Sequence, residues 1–177
     1  MTETHEVVWA ALSWPGLEHV SFGELSVAGR GIAVLDGVPT HVDYTLRIDR
    51  TGATRDVEIT ESGPFPTRTL ALHADEAGRW RGDAGPLPEL DGCLDVDISV
   101  TPCTNTLPIR RLDLAVGEAR DIDVVYLSVP ELAVSRARQR YRRLDRGYRY
   151  ESGDFAADLT VDDADVVIDY PDLWRRA

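Results

Sequence analysis

Alternation of apolar and polar residues with a period of two is the feature that most restricts the fold of this chain. It is clearest in residues 42–48, 94–98 and 155–161, where apolar side chains recur at every second position. Such alternation is typical of antiparallel strands that bury one face. The stretch from Glu131 to Leu144 is ambiguous, because its Arg and Ala content favours a helix while Arg alternates with other residues from 136 to 142. We predict a strand there too.

Turn motifs between these segments favour hairpins. Asp36-Gly37 suits a tight two-residue turn, and an Asp-x-x-Gly motif occurs at 49–52 and again at 75–78. A third copy at 162–165 has Asp in place of the Gly, and Asp tolerates the left-handed conformation better than most residues. Repeated hairpins predict a meander of antiparallel strands and argue against a βαβ fold.

One segment carries a helix pattern, at residues 104–112. Thr104 or Asn105 could cap this helix, Pro108 suits its first turn, and a stripe of Leu and Ile follows. The helix would have about two turns. At 177 residues the chain is near the usual size of one domain, so we expect a single, mainly β domain over 1–177.

Charge and composition exclude several functions. All 19 basic residues are Arg, and the 31 acidic residues give a net charge of −12, which disfavours nucleic acid as a partner. Without Lys the chain lacks Schiff-base chemistry and the lysine of a phosphate-binding Walker loop. No apolar run approaches the roughly 20 residues of a membrane-spanning helix, so no integral membrane association is expected. The first six residues lack the basic and apolar pattern of a secretory signal, which predicts a cytoplasmic location.

The cysteines do not indicate a metal site. Cys93 and Cys103 form no Cys-x-x-Cys motif, and the four histidines are scattered. We expect buried structural thiols, with a disulfide as the alternative, and we predict neither a metal nor another cofactor.

Two carboxylates on one strand are the main candidate for chemistry. In the segment 94–98, Asp95 and Asp97 lie on one face and the apolar residues on the other. The acidic face is either solvated or lines a concave surface where carboxylates accept hydrogen bonds from sugar hydroxyls. In the second case, like-charge proximity and burial would raise the pKa of one carboxylate.

The same region resembles a known family. Residues 92–97, Gly-Cys-Leu-Asp-Val-Asp, and 101–112, Thr-Pro-Cys-Thr-Asn-Thr-Leu-Pro-Ile-Arg-Arg-Leu, are similar to the motif of the bacterial putative glycolipid-binding family, formerly a domain of unknown function. Further similarities run from Trp14 to Pro171. The resemblance implies a large curved antiparallel sheet, half-barrel-like, wrapped around one short helix and remotely similar to lipoprotein-localisation carriers. It also implies a tight homodimer and an acidic pocket for a glycolipid or lipid-like molecule.

Carried over residue by residue, the resemblance gives a set of candidate ligand-binding residues. The carboxylates would bind a sugar head group, because charge-assisted hydrogen bonds are strong. One of the two adjacent arginines would neutralise the acidic cluster, and the aromatic residues would either stack on the ligand or belong to the core. The candidates are Glu18, Tyr44, Trp80, Asp95, Asp97, Asn105, Arg110, Arg111, Tyr141 and Tyr150.

Three functions are compatible with the sequence. The first is a non-catalytic carrier or sensor of a glycolipid or lipid. The second is an enzyme that uses two carboxylates on a sugar-bearing substrate, although no nucleophile motif is present and we assign no catalytic residue. The third is a dimeric interaction module. Its contact would be the segment from Arg136 to Arg149, which carries seven Arg and one Asp and could bind a phosphate or an acidic partner, join a dimer, or protect a sheet edge.

Overall fold

The computed structural model describes residues 4–177; Met1–Glu3, part of the segment used to predict the location, lie outside the described residues. The first nine strands are β1 (His5–Ala11), β2 (Gly16–Phe22), β3 (Ser26–Leu35), β4 (Val38–Ile48), β5 (Thr54–Ser62), β6 (Arg68–Ala74), β7 (Trp80–Gly82), β8 (Gly85–Pro86) and β9 (Asp95–Ile98). After helix α1 (Thr106–Leu112) come β10 (Ala119–Ser128), β11 (Ala133–Arg143), β12 (Tyr148–Ser152), β13 (Phe155–Val161), β14 (Val167–Tyr170) and β15 (Trp174–Arg176). Short 3-10 helices span Pro88–Leu90 and Cys103–Asn105.

The strands form one curled sheet in the order β8-β7-β6-β5-β4-β3-β2-β1-β15-β14-β13-β12-β11-β10-β9. Two meanders meet where β1 pairs with β15. The predicted fold class, a large curved sheet with one short helix, is confirmed, and the segment from Glu131 to Leu144 is strand β11. Among the described helices, none has the length and apolar character needed to cross a membrane.

One strand departs from the predicted antiparallel pairing. Strand β9 runs parallel to β10, with Asp95 beside Val124 and Asp97 beside Tyr126. A parallel pair requires a crossover connection, and the segment from 99 to 118, which contains α1, supplies it. Alternation predicts a strand but not its direction, so the antiparallel expectation for 94–98 was wrong.

The three Asp turns share one geometry. In each, a carboxylate oxygen of Asp49, Asp75 or Asp162 accepts hydrogen bonds from the backbone N–H groups two and four residues later. The fourth residue has positive φ, +84° at Gly52 and +60° at Asp165. Asp therefore replaces Gly in the third copy without a change of turn.

The helix begins differently from the prediction. Asn105 has helical φ and ψ because it ends the preceding 3-10 turn, and its side chain makes no cap hydrogen bond. Its amide instead donates to the carbonyl oxygen of Pro102 at 3.4 Å. Helix α1 buries Leu107 and Ile109 against the core of the sheet.

The arginine-rich strand does not protect a sheet edge, because β11 lies between β10 and β12. On its outer face Arg136 pairs with Asp123 at 2.8 Å, and Arg140 pairs with Asp121 at 3.0 Å. Neighbouring strands therefore neutralise part of this positive charge.

Candidate functional site

Both faces of β9 are covered. Val96 and Ile98 belong to the core, and Asp95, on the opposite face, is only 1% exposed. The solvated-face interpretation is therefore wrong for Asp95. The register puts the acidic face beside Val124 and Tyr126 of β10, and the segment from Cys103 to Leu112 packs over it.

Asp95 is neutralised within the protein. The Nε and Nη2 groups of Arg111 donate to its two oxygens at 3.1 and 2.5 Å. Burial raises the pKa of Asp95, and the Arg111 guanidinium opposes that effect. Arg110 has another role: it donates to the carbonyl of Ala164 at 2.8 and 3.0 Å and lies 5.3 Å from the Phe22 ring centroid.

Asp97 has neutral partners instead. The Nε2 of Gln139 donates to its Oδ2 at 2.5 Å, and the hydroxyl of Tyr150 lies 3.5 Å from the same oxygen. Within the described part of the chain, its Oδ1 has one hydrogen-bond partner, the Thr104 hydroxyl, at 3.4 Å. Among the described residues no cationic side chain forms an ion pair with Asp97. Burial raises the pKa of this carboxyl group, and the hydrogen bond from Gln139 opposes the rise.

Glu18 is the third predicted carboxylate, and it is 3% exposed. The hydroxyls of Tyr44 and Thr101 each donate to one of its oxygens at 2.7 Å. Burial raises the pKa of Glu18 to about 7, although both hydrogen bonds favour the charged form.

A cavity of about 300 Å³ opens beside Asp97. Thr101 and Asn105 contribute further polar groups to it, so Thr101 links the cavity to buried Glu18. The other walls are mainly aromatic and apolar. The lining residues are Asp97, Ile98, Ser99, Thr101, Asn105, Tyr126, Phe155, Tyr170, Leu173 and Trp174.

The structure separates the predicted aromatic residues. Tyr150 and Tyr141 lie behind the cavity, where the Tyr141 hydroxyl donates to Asn105 Oδ1 at 2.9 Å. The Tyr44 hydroxyl is already hydrogen-bonded to Glu18. Trp80 is 1% exposed and donates its indole N–H to the Cys93 carbonyl, so it is a core residue outside this cavity.

Sequence reasoning missed most of the cavity wall. Tyr126, Phe155, Tyr170 and Trp174 come from four strands, and nothing local in the sequence links them. Gln139 did carry a signal, because it is a neutral polar residue within the alternating arginine run, and the structure buries it.

Two larger cavities, of about 1120 and 720 Å³, lie along β3–β7 and the turns that join these strands. Their shared walls include Arg47 and His73, both of which contact Asp56. The charged groups of Arg47, His73 and Asp56 therefore pair with one another. The cavity of about 300 Å³ combines the Asp97 carboxylate with aromatic walls, which makes it the better candidate site.

Comparison with known proteins points to one family. The model of the family described as "putative glycolipid-binding" matches residues 6–176. A crystal structure of a DUF1089 family protein from Pseudomonas aeruginosa is 38% identical, with a TM-score of 0.87 over 92% of each chain. No curated protein gives a significant match.

Proposed function

Because the chain belongs to the family described as putative glycolipid-binding, we propose that it is a non-catalytic binding protein for a glycolipid or lipid-like molecule. The cavity beside Asp97 receives the polar head group. Asp97, Thr101 and Asn105 provide hydrogen-bonding groups, and the aromatic rings provide flat apolar surfaces.

The observation that carries this proposal is the combination of a carboxylate and aromatic rings in one cavity. A carboxylate accepts hydrogen bonds from neighbouring hydroxyls, and aromatic faces pack against the C–H surface of a sugar ring. Ligand cavities typically begin near 300 Å³. A volume of about 300 Å³ therefore suits a head group, and the lipid chains would extend outside it.

The carboxylate-enzyme alternative has less support. Glycoside hydrolysis requires two carboxyl groups that both reach the substrate. Asp95 is bound by Arg111 and buried, and Glu18 is also buried, which leaves Asp97 as the carboxylate that lines the cavity.

The test compares two Phe→Ala variants by native mass spectrometry and thermal shift against a panel of glycolipids and lipids. Phe155 lines the cavity and is 43% exposed, whereas Phe65 is 66% exposed and lies between β5 and β6. We expect at least one panel member to bind the wild type and Phe65→Ala, and to bind Phe155→Ala at least tenfold more weakly. Equal binding by all three proteins, or no binding at all, would contradict the proposal.

We also propose that the outer face of β1–β3 contacts a second copy of the chain, as the family resemblance implies. Leu17 and Ile32 are cross-strand neighbours, 57% and 56% exposed, and Val8 and Leu12 extend the apolar surface. Exposed apolar surfaces of this kind mark interfaces. Light scattering after chromatography should report a dimer for the wild type and a monomer for Leu17→Glu; a wild-type monomer would refute this contact.

A further inference from the structure

The cavity beside Asp97 has the features of a site for an organic cation. Three rings at its wall pack against one another, with centroid distances of 6.1 Å between Phe155 and Tyr170, 6.1 Å between Tyr150 and Tyr170, and 6.2 Å between Tyr150 and Phe155, and Phe155 and Tyr170 line the cavity. Tyr126 and Trp174 add two more aromatic residues to the lining. Aromatic rings attract cations electrostatically, and cages of such rings recognise substituted ammonium groups.

The charge balance of the cavity points the same way. Asp97 is the charged residue among the lining residues, and Arg and His are absent from that set. Within residues 4–177 the one hydrogen bond to its Oδ1 comes from Thr104 at 3.4 Å, so this oxygen retains acceptor capacity. Asp95, two residues away, has the bidentate Arg111 partner that Asp97 lacks. The chain also contains no Lys, so no lysine ammonium group of this protein can pair with Asp97.

A metal ion fits this arrangement less well. Calcium and magnesium prefer six or more oxygen ligands, with carboxylates prominent among them. Within residues 4–177 no group of three or more His, Cys, Asp or Glu side chains is suitably placed to hold a metal. Aromatic walls suit an organic cation, which retains C–H surface and a diffuse charge.

We propose that the head group bound beside Asp97 carries an organic ammonium group, which forms an ion pair with Asp97 and contacts the rings of Phe155, Tyr170 and Tyr126. This inference rests on the proposed function and specifies the chemical class of its ligand. Amino sugars and choline-type head groups both carry such an ammonium group, and the experiment below distinguishes these two sources.

Ion pairing also predicts a proton linkage. Burial raises the pKa of Asp97, and a bound cation would lower it again, so binding releases a proton wherever the free carboxyl group is protonated. Affinity for the cation should therefore fall as the pH is lowered through that pKa. The other titratable or charged groups facing Asp97 are the phenols of Tyr126, Tyr141, Tyr150 and Tyr170 and the Asp95–Arg111 pair. The phenols have raised pKa values and stay neutral between pH 5 and 8.

The experiment uses matched probes and matched variants in isothermal titration calorimetry. Choline is compared with 3,3-dimethylbutan-1-ol, its neutral isostere, and glucosamine with N-acetylglucosamine, whose nitrogen is uncharged. Asp97→Asn removes the charge from the cavity, and Asp83→Asn removes one exposed charge from the β7–β8 turn. Thermal unfolding of both variants checks that each remains folded.

We expect choline or glucosamine to bind at least tenfold more tightly than its neutral partner, with the preference kept in Asp83→Asn and lost in Asp97→Asn. The member of the pair that binds identifies the source of the ammonium group. Equal binding of charged and neutral probes would overturn the ammonium inference while leaving the proposed glycolipid role intact. A preference that survives in Asp97→Asn would also overturn it. Absence of binding by all four probes, when a neutral glycolipid still binds the wild type, would overturn the inference alone.

Discussion

Replacing Glu18 with Gln should make the protein more stable at alkaline pH and should remove a pH dependence from its unfolding. Burial raises the pKa of Glu18 from 4.5 to about 7. Below pH 4.5 the group is neutral in both the folded and the unfolded states. As the pH rises the unfolded chain loses its proton first, so the folded state is progressively destabilised until the pH exceeds about 7.

The magnitude follows from this difference in pKa. One pKa unit corresponds to about 1.4 kcal/mol, so the full penalty is roughly 3.5 kcal/mol, of which roughly 2.5 kcal/mol develops between pH 5 and pH 8.5. Gln keeps the size of the side chain and an oxygen that can accept the hydrogen bond from Tyr44. The stability of Glu18→Gln relative to the wild type should therefore increase by about that amount over this range.

Urea denaturation at pH 5, 6, 7 and 8.5 measures the effect, and thermal unfolding should show a corresponding change of roughly 5–10 °C in the relative Tm. Glu58→Gln is the control, because Glu58 is exposed on the outer face of β5. Its stability relative to the wild type should change little with pH. If the free energies of unfolding of Glu18→Gln and of the wild type changed with pH by the same amount across this range, the raised pKa of buried Glu18 would be refuted.

Two further substitutions test the surroundings of the site by urea denaturation. Arg111→Met should cost about 3–5 kcal/mol, because it leaves Asp95 buried without its partner. Adding Asp95→Asn should restore most of that loss. If the losses of the two single variants simply added in the double variant, the pairing would be contradicted. Gly29→Ala should cost about 1–3 kcal/mol, because the new Cβ would lie 2.0 Å from the Tyr44 ring. Gly31→Ala is the control and should cost less than about 1 kcal/mol, because the atom nearest to its new Cβ would be 3.7 Å away. Equal losses in the two glycine variants would refute the close approach of Tyr44.

The features that the sequence predicts well are local. Each Asp turn is complete within five residues, since the side chain of Asp49 or Asp162 bonds the backbone that follows it. The alternation that identifies β4 and β13 likewise depends on neighbouring residues. These patterns were sufficient for the meander and the single helix, because hairpins join strands that are adjacent in the chain.

The features that it predicts poorly depend on distant contacts. Alternation alone could not show that Arg111 of α1 reaches Asp95, and so could not distinguish Asp95, neutralised by Arg111, from Asp97, which faces the cavity. The cavity wall combines Tyr126 with Phe155 and residues of β14 and β15, which meet only when the sheet curls. Their roles follow from the register of the sheet, and no short motif encodes it.

The central claim, that the cavity beside Asp97 holds the head group of a lipid, is tested most directly on protein purified from its own source. Native mass spectrometry of the wild type should detect a co-purified lipid, and fragmentation of the released ligand should identify its head group. Phe65→Ala should retain this ligand, and Phe155→Ala should lose most of it. A ligand retained equally by both variants, or a wild-type protein without any bound lipid, would contradict the account.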